Sequence, residues 1–381
     1  MPRISKIVFS ALISVFITGC VEPYYFDLGM NADSKYVVDG SVTDQEGYQT
    51  VYISISSTIG NPIYVPLSNC KVRIVDGSNH EFILSEYEKG RYRVWIGKEF
   101  LKSSSLFKVL VTTESGVEIE SDYDTLPESV EIDSIYYDRE DIATSNPEKP
   151  LQGIQFYADI NADKTSSHYF RWDIVETLEH HAALPITYYW NTKALILHNP
   201  PDSSFFYCWT TKNVGKIFTT NTNGLISNTV NHQKLNFVDN LTQRLTFCYS
   251  LLINQFVHSE QAYTYWNKLK SNSNDQENLY ESQPMKVKGN LKCTSNPNLE
   301  VLGYFYAASV RTKRLFVTKV ENLELYYPMC DLRRPEPNEP NRSNPLYMAM
   351  TEDGALWIAE IMCIECNALG GSLIKPDFWP N

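Results

Sequence analysis

The sequence lacks the short motifs of the commonest catalytic chemistries. It has no Gly-x-Ser-x-Gly elbow, no glycine-rich phosphate loop and no His-Glu-x-x-His helix, so nothing points to a serine hydrolase, a nucleotide hydrolase or a zinc protease. Beyond the first twenty residues, no run approaches the roughly 18 apolar residues of a membrane-spanning helix. Basic residues are in deficit, with 33 Lys and Arg against 45 Asp and Glu and a net charge of -12. That balance argues against nucleic acid and against charge-driven adsorption to anionic lipid. Histidine is missing where a zinc site would need it. Cys363-x-x-Cys366 with Cys330 offers up to three thiolates, but the nearest upstream histidine is His258, and a structural zinc takes about four N or S ligands. Asp159, Asn161 and Asp163 alternate like the start of a calcium loop, yet the required Gly and distal Glu are absent. No metal and no cofactor is expected.

What is present begins with a leader. Arg3 and Lys6 precede the apolar stretch Ile7–Ile17, and Ile17-Thr18-Gly19-Cys20 closes it. This is a secretory pattern ending in a lipobox, which makes Cys20 the expected lipidation site and residues 1–19 the signal peptide. N-terminal acyl chains would then supply the attachment to outer-membrane lipid, since two or more chains hold a protein stably. Loss of Arg3 and Lys6 with the leader makes the mature chain more acidic still. Residues 20–34 read as a tether.

Eight cysteines occur. With Cys20 acylated, seven remain, so at least one thiol stays free, and isolated Cys70 is the candidate. An exported chain sits where disulfides form. Cys208, Cys330, Cys363 and Cys366 are the expected participants in structural bridges that pin the C-terminal segment. Spacing does not fix their connectivity. A redox role for Cys363-x-x-Cys366 would want a βαβ setting, which is absent.

The body of the chain reads as mainly β. Period-two runs such as Thr50–Ser56, Cys70–Val75 and Phe107–Val111 alternate with turn signals at Glu46-Gly47, Asp76-Gly77 and Ser115-Gly116. Seven such runs over roughly 90 residues indicate an Ig-like or transthyretin-like sandwich over 35–127. Leu126-Pro127 breaks the rhythm. A larger β-rich domain is expected over 128–327, with strands at Ile132–Tyr137, Gly153–Asp159, His168–Ile174, Tyr207–Thr210, Leu245–Ile253, Val301–Ser309 and Arg314–Val320. Asp138–Pro150 reads as an exposed loop, and His180-His181 as an exposed loop pair, because neighbours on a strand face opposite ways. One helix is expected from Ser259, which can cap it, with Ala262, Tyr265, Trp266 and Leu269 on one face. Such a helix should close an open sheet edge or end. Residues 328–381 form a Pro-rich loop and a wrapping arm whose final aromatics, Phe378 and Trp379, suggest docking. Asp124-Thr125-Leu126 and Asp133-Ser134-Ile135 match a loose O-glycan acceptor pattern at Thr125 and Ser134.

Several features together resemble the Bacteroidetes outer-membrane lipoproteins grouped as domain of unknown function 4249. They are the lipobox, Val37-Val38-Asp39-Gly40, Leu126-Pro127 with Ile132-Asp133-Ser134-Ile135, Tyr207-Cys208-Trp209, Tyr265-Trp266 and Gly303-Tyr304-Phe305. The ending, Cys363-x-x-Cys366 with Gly370-Gly371 and Lys375-Pro376-Asp377-Phe378-Trp379, completes the set. Asn367 stands where many relatives have Arg, so a salt bridge from that position is not carried over. The resemblance implies an outer-membrane, lipid-anchored protein at the cell surface or in the periplasmic leaflet. It further implies a TonB-dependent receptor as partner and no established activity. The expected role is a non-catalytic binding or accessory subunit; the alternative is a structural or adhesive surface lipoprotein.

Overall fold

The computed structural model describes residues 35–57, 63–146, 148–191, 193–274, 287–336 and 346–380. Cys20, the leader and the tether lie outside the described residues. Strands hold 51% of the chain and helices 8%, so the fold is mainly β and sandwich-like, with an inserted helix. No helix among the described residues is long and apolar enough to cross a membrane.

The first sandwich contains β1 (Tyr36–Thr43), β2 (Gly47–Ile55), β3 (Val65–Pro66), β4 (Lys71–Asp76), β5 (Glu81–Glu88) and β6 (Arg91–Ile96). It continues with β7 (Leu106–Thr112), β8 (Glu118–Ser121) and β9 (Asp124–Thr125). Alternation on these strands puts Val38, Val51, Ile53, Ile74, Tyr92, Phe107, Val109 and Ile119 into one core. Phe107 and Ile53 are fully shielded there.

The second body holds β10 (Ile132–Ile142), β11 (Leu151–Asn161), β12 (Tyr169–His181), β13 (Ile186–Trp190), β14 (Leu195–Asp202), β15 (Tyr207–Asn213), β16 (Phe218–Asn221), β17 (Thr229–Asp239) and β18 (Tyr249–His258). Helix α1 (Glu260–Asn274) follows, then β19 (Leu291–Cys293), β20 (Val301–Val317), β21 (Leu346–Met350), β22 (Leu356–Ile358) and the short helix α2 (Ile361–Ile364). The three-stranded sheet β10-β11-β17 packs Ile154, Phe156 and Ile160 against Phe170, Trp172, Tyr249 and Ile253 in the second core.

β20 joins the two bodies. Its first half pairs in parallel with β1, from Tyr36↔Val301 to Thr43↔Ala308. Its second half pairs antiparallel with β18, from His258↔Ala308 to Tyr249↔Val317. One sheet therefore runs β15-β12-β18-β20-β1-β2-β6-β5-β4-β7-β8-β19. Leu291, Cys293, Val301, Phe305 and Ala307 complete the first core, so that sandwich draws on residues well beyond 127. Around the expected boundary, Leu126 belongs to the first core and Val130 to the second. Gly303 is required where β20 meets β1: its φ is +97°, and a Cβ would sit 2.0 Å from the Val38 carbonyl oxygen.

Four local expectations are corrected. Val301–Ser309 and Arg314–Val320 are not two strands, because β20 runs unbroken from Val301 to Val317. Arg311 is held in it by ion pairs to Asp44 at 2.8 Å and Glu131 at 2.5 Å. Asp138–Ile142 is not loop but the end of β10, paired with Leu151–Gln155. His180 and His181 lie on β12 and not in a loop, and His180 is buried. Helix α1 covers a sheet face and not an edge. Ala262 packs with Tyr304, Tyr306 and Ala308, and Tyr265 stacks on Tyr304 at 4.5 Å, because aromatic side chains on that face of β18 and β20 give the helix an apolar seat. Ser259 caps it as expected, its Oγ accepting from the Ala262 amide at 3.2 Å.

Candidate functional site: the disulfide-pinned C-terminal arm

From Pro328 the chain wraps over one end of the second body. Its local sequence cannot bury much by itself. One small cluster gathers Ile186, Tyr347, Ala359 and Ile364, and another gathers Ala182, Cys208 and Cys366. β21 and β22 extend the β14-β13 hairpin into a four-stranded sheet. Backbone hydrogen bonds then zip the arm down: Leu184 N–H to the Cys363 carbonyl, Cys366 N–H to Phe205, and a reciprocal pair between Trp209 and Ser372.

Two disulfides hold this seat. Cys208 on β15 bonds Cys366, and Cys330 bonds Cys363 in α2. All four expected cysteines are bridged, and Cys363 and Cys366 bond different partners, which removes both the redox-pair and the zinc readings. Cys70 is free and buried, but Cys248 and Cys293 are free as well. Burial pushes the Cys248 thiol up to about 11, which keeps it protonated and inert. The chain end docks too. Trp379 is 6% exposed, donates from Nε1 to Glu179 Oε2 at 2.9 Å and meets Phe316 edge-on, while the Arg314 guanidinium lies 3.6 Å over Phe378. His181 Nε2 binds the other Glu179 oxygen at 2.7 Å. The His181 hydrogen bond, more than any other contact, holds the Glu179 carboxyl below the usual range against the opposing effect of burial.

Beside the arm, a buried ionic cluster anchors β12. Glu176 is 1% exposed. Its Oε1 meets Lys212 at 3.1 Å, and its Oε2 accepts from Arg244 at 2.6 Å and from the Tyr249 hydroxyl at 2.7 Å. Burial raises its pKa, but hydrogen bonds from Arg244 and Tyr249 outweigh that, and the net result is a lowered value. Next to it opens a cleft of about 530 Å³ lined by Leu178, His180, Thr210, Lys212, residues 241–244, Tyr326 and Leu369. Burial pushes the His180 pKa down, partly offset by the Cys366 backbone. A larger cleft of about 710 Å³ at the end of the first sandwich is lined by the single stretch 288–302.

Several large apolar side chains on and next to the arm are exposed, among exposed charged residues such as Arg334, Glu352, Glu360 and Lys375. Met329 and Ile374 are 91% and 80% exposed, and Tyr327, Met350 and Met362 are more than half exposed. Apolar side chains exposed along a covalently fixed segment are available for an interface.

The remaining expected residues have structural partners. Asp159 accepts hydrogen bonds from Ser134 and Tyr136 and from the His232 amide. Asn161 accepts from the Asp163 amide, and Asp163 from the Asn228 amide. Those acids tie β10, β11 and the start of β17 together, and no group of three metal ligands exists among the described residues. Thr125 is exposed on β9, whereas Ser134 is half-buried with its hydroxyl engaged. Sequence reasoning missed Glu176, Arg244 and the cleft, because the residues come from five separate segments.

A family model matches residues 21–314, and the chain belongs to that family, described as Domain of unknown function (DUF4249). The match ends before the arm begins. No curated protein matches the chain.

Proposed function

We propose that this member of the domain-of-unknown-function 4249 family works by binding, as a lipid-anchored accessory subunit of an outer-membrane TonB-dependent receptor. The carrying observation is the exposure of large apolar side chains along the arm, Met329, Met362 and Ile374, with Tyr327 just before it, on a segment that two disulfides hold. Side chains on a cross-linked segment lose less conformational freedom on docking than those on a free one. Acylation at Cys20 would confine the chain to the membrane plane, where a tethered partner meets a high effective concentration. Both the anchor and the receptor rest on the leader and on the resemblance.

A second reading, a non-transporting adhesive lipoprotein, is favoured by the outer face of the first sandwich. There Arg93 lies between Tyr48 at 4.2 Å and Tyr87 at 4.6 Å, Arg91 lies over Tyr52, and Trp95 meets Tyr48 edge-on. Native extraction in mild detergent separates the two. The accessory reading expects one large barrel protein to co-purify, and Met329→Asp with Ile374→Asp to abolish this without unfolding the chain. A lone monomer from the unaltered protein, or unchanged co-purification of the double variant, would reject it. Loss of membrane partitioning in Cys20→Ala tests the anchor separately.

A further inference from the structure

The outer face of the first sandwich is built differently from the arm. Val38, Val51, Ile53 and Tyr92 turn into the core, so their neighbours on β1, β2 and β6 turn outwards. Strand pairing sets these neighbours in rows. Asp39, Tyr52 and Arg91 form one row, Ser41, Thr50 and Arg93 the next, and Tyr48 with Trp95 a third. Tyr304 and Tyr306 of β20 continue the first two rows, but helix α1 covers them. β1 is therefore the floor of a groove, with α1 on one side and the aromatic rows on the other. A cleft of about 200 Å³ lies in it, where Asp39, Ser41 and Thr50 meet Tyr48, Tyr52 and Tyr306.

Large rings stand in water here: Trp95, Tyr48, Tyr52 and Tyr87 are all exposed. They are nevertheless held in place. The Arg93 guanidinium lies between Tyr48 and Tyr87, Arg91 lies over Tyr52, and Trp95 meets Tyr48 edge-on. A ring already fixed loses little freedom when a ligand stacks on it. Polar groups separate the rings. Thr50 stands between Tyr48 and Tyr52 along β2, and Arg93 between Arg91 and Trp95 along β6. The centre of a protein interface is depleted of charge and more apolar than its rim, and this alternation is the opposite. The charges nearly cancel as well. Arg91 is paired with Glu88 at 3.1 Å, and Glu86 is taken by the Asn69 and Gly90 amides. Arg93 and Asp39 remain, one charge of each sign. The Asp39 carboxylate takes the Gly40 amide and feels the Arg171 charge, with no side-chain donor among the described residues. A ligand matched to this face is neutral, rich in hydroxyls, and carries flat C–H faces.

We infer that this groove binds a neutral oligosaccharide. One sugar ring enters the cleft, where Asp39, Ser41 and Thr50 meet its hydroxyls. The rings that follow lay their C–H faces on Tyr48, Tyr52 and Trp95, whose ring faces carry partial negative charge. The cleft is smaller than the roughly 300–1,000 Å³ of drug-sized sites, which suits one ring of a chain that continues over the surface. Tyr48 and Tyr52 are roughly 13 Å apart along β2, the reach of a short chain of rings and not of a single one. The site rests on the adhesive reading only in sharing its face. β12, β18, β20 and β1 separate it from the arm's seat on β15, so receptor docking neither needs it nor disturbs it.

Calorimetric titration of the intact, oxidised chain in mild detergent tests this, with maltohexaose, cellohexaose, laminarihexaose and mannohexaose as probes. At least one should bind saturably with a millimolar or tighter Kd, and its monosaccharide at least tenfold more weakly. Trp95→Ala and Tyr48→Ala each remove an exposed ring, so the variants should fold and bind that probe at least tenfold more weakly; if one does not fold, the other decides. Asp39→Asn keeps the shape of the cleft and removes the charge of its acceptor, and should weaken the same probe severalfold. Failure of all four probes to bind saturably, equal binding of the monosaccharide, or binding indifferent to the folded ring variants would overturn the assignment. Adhesion of cells is scored separately. Sugar binding without adhesion keeps the site and removes the adhesive reading, whereas adhesion to protein-coated surfaces with no sugar bound removes the site and keeps that reading.

Discussion

The first sandwich gathers 22 buried apolar residues in one cluster, whereas the two clusters under the C-terminal arm hold four and three. Both regions contain cysteines. In the first core Cys70 and Cys293 remain free and pack as small apolar side chains. Burial pushes the Cys70 thiol up, away from reactivity. Under the arm, every cysteine within the two clusters is bridged. The difference teaches where cross-links matter. A segment that buries enough apolar surface is held by the hydrophobic effect, and one that does not is held by covalent closure, as in small secreted domains.

Breaking the long bridge should give the largest effect. Cys208→Ser with Cys366→Ser opens a closure spanning 158 residues, which should cost about 4–5 kcal/mol by loop entropy. Denaturant unfolding measures the loss. Limited proteolysis should cut first within 346–380, and cleavage inside the first sandwich instead would contradict the division. Phe107→Ala tests the other pole. Phe107 is fully buried, so truncation should cost about 3–5 kcal/mol, while leaving the arm's cysteines oxidised in a non-reducing peptide map.

Glu176→Gln is intermediate. It leaves Arg244 without its buried counter-charge, and since Arg244 and Lys212 keep some solvent contact, the expected cost is about 2–4 kcal/mol. The pH dependence follows from the lowered pKa. The folded chain holds the Glu176 proton less tightly than the unfolded chain, whose value is near 4.5. The stabilisation is therefore complete above that value and is lost as pH falls through the lower folded value. Melting temperatures between neutral and acidic pH should converge for wild type and Glu176→Gln; a constant gap would refute the ionic role. The smallest effect belongs to Cys70→Ala, about 1 kcal/mol, since a small buried group is lost but no cross-link. A loss comparable with that of the Cys208–Cys366 pair would show that the first core is not self-sufficient.

The strands of the first sandwich were legible because each buries one face, and a half-buried strand writes its period into the sequence. Helix α1 was legible for the same reason, with Ala262, Tyr265 and Trp266 on one side. The four bridging cysteines could be named from export and position. β20 was misread as two strands because Arg311, Thr312 and Lys313 interrupt its apolar pattern. What keeps Arg311 in the strand is the distant carboxylate of Asp44, which no local window contains. His180 was misplaced because adjacent histidines look solvated, and the arm that buries it returns about 190 residues later, at Gly371.

The sequence by itself determined what depends on neighbours along the chain: alternation, turns, the helix cap, the acidic balance and the candidate lipobox. Tertiary structure decided what depends on segments meeting in space. It chose which cysteines pair, because bonding needs Cα atoms within the 5.7 and 5.5 Å seen here. It joined the two cores through β20, because parallel pairing with β1 requires a long crossover that leaves no local mark. It also assembled the buried cluster of Glu176, Lys212, Arg244 and Tyr249, because the polar groups that meet there are satisfied only by what the fold brings beside them.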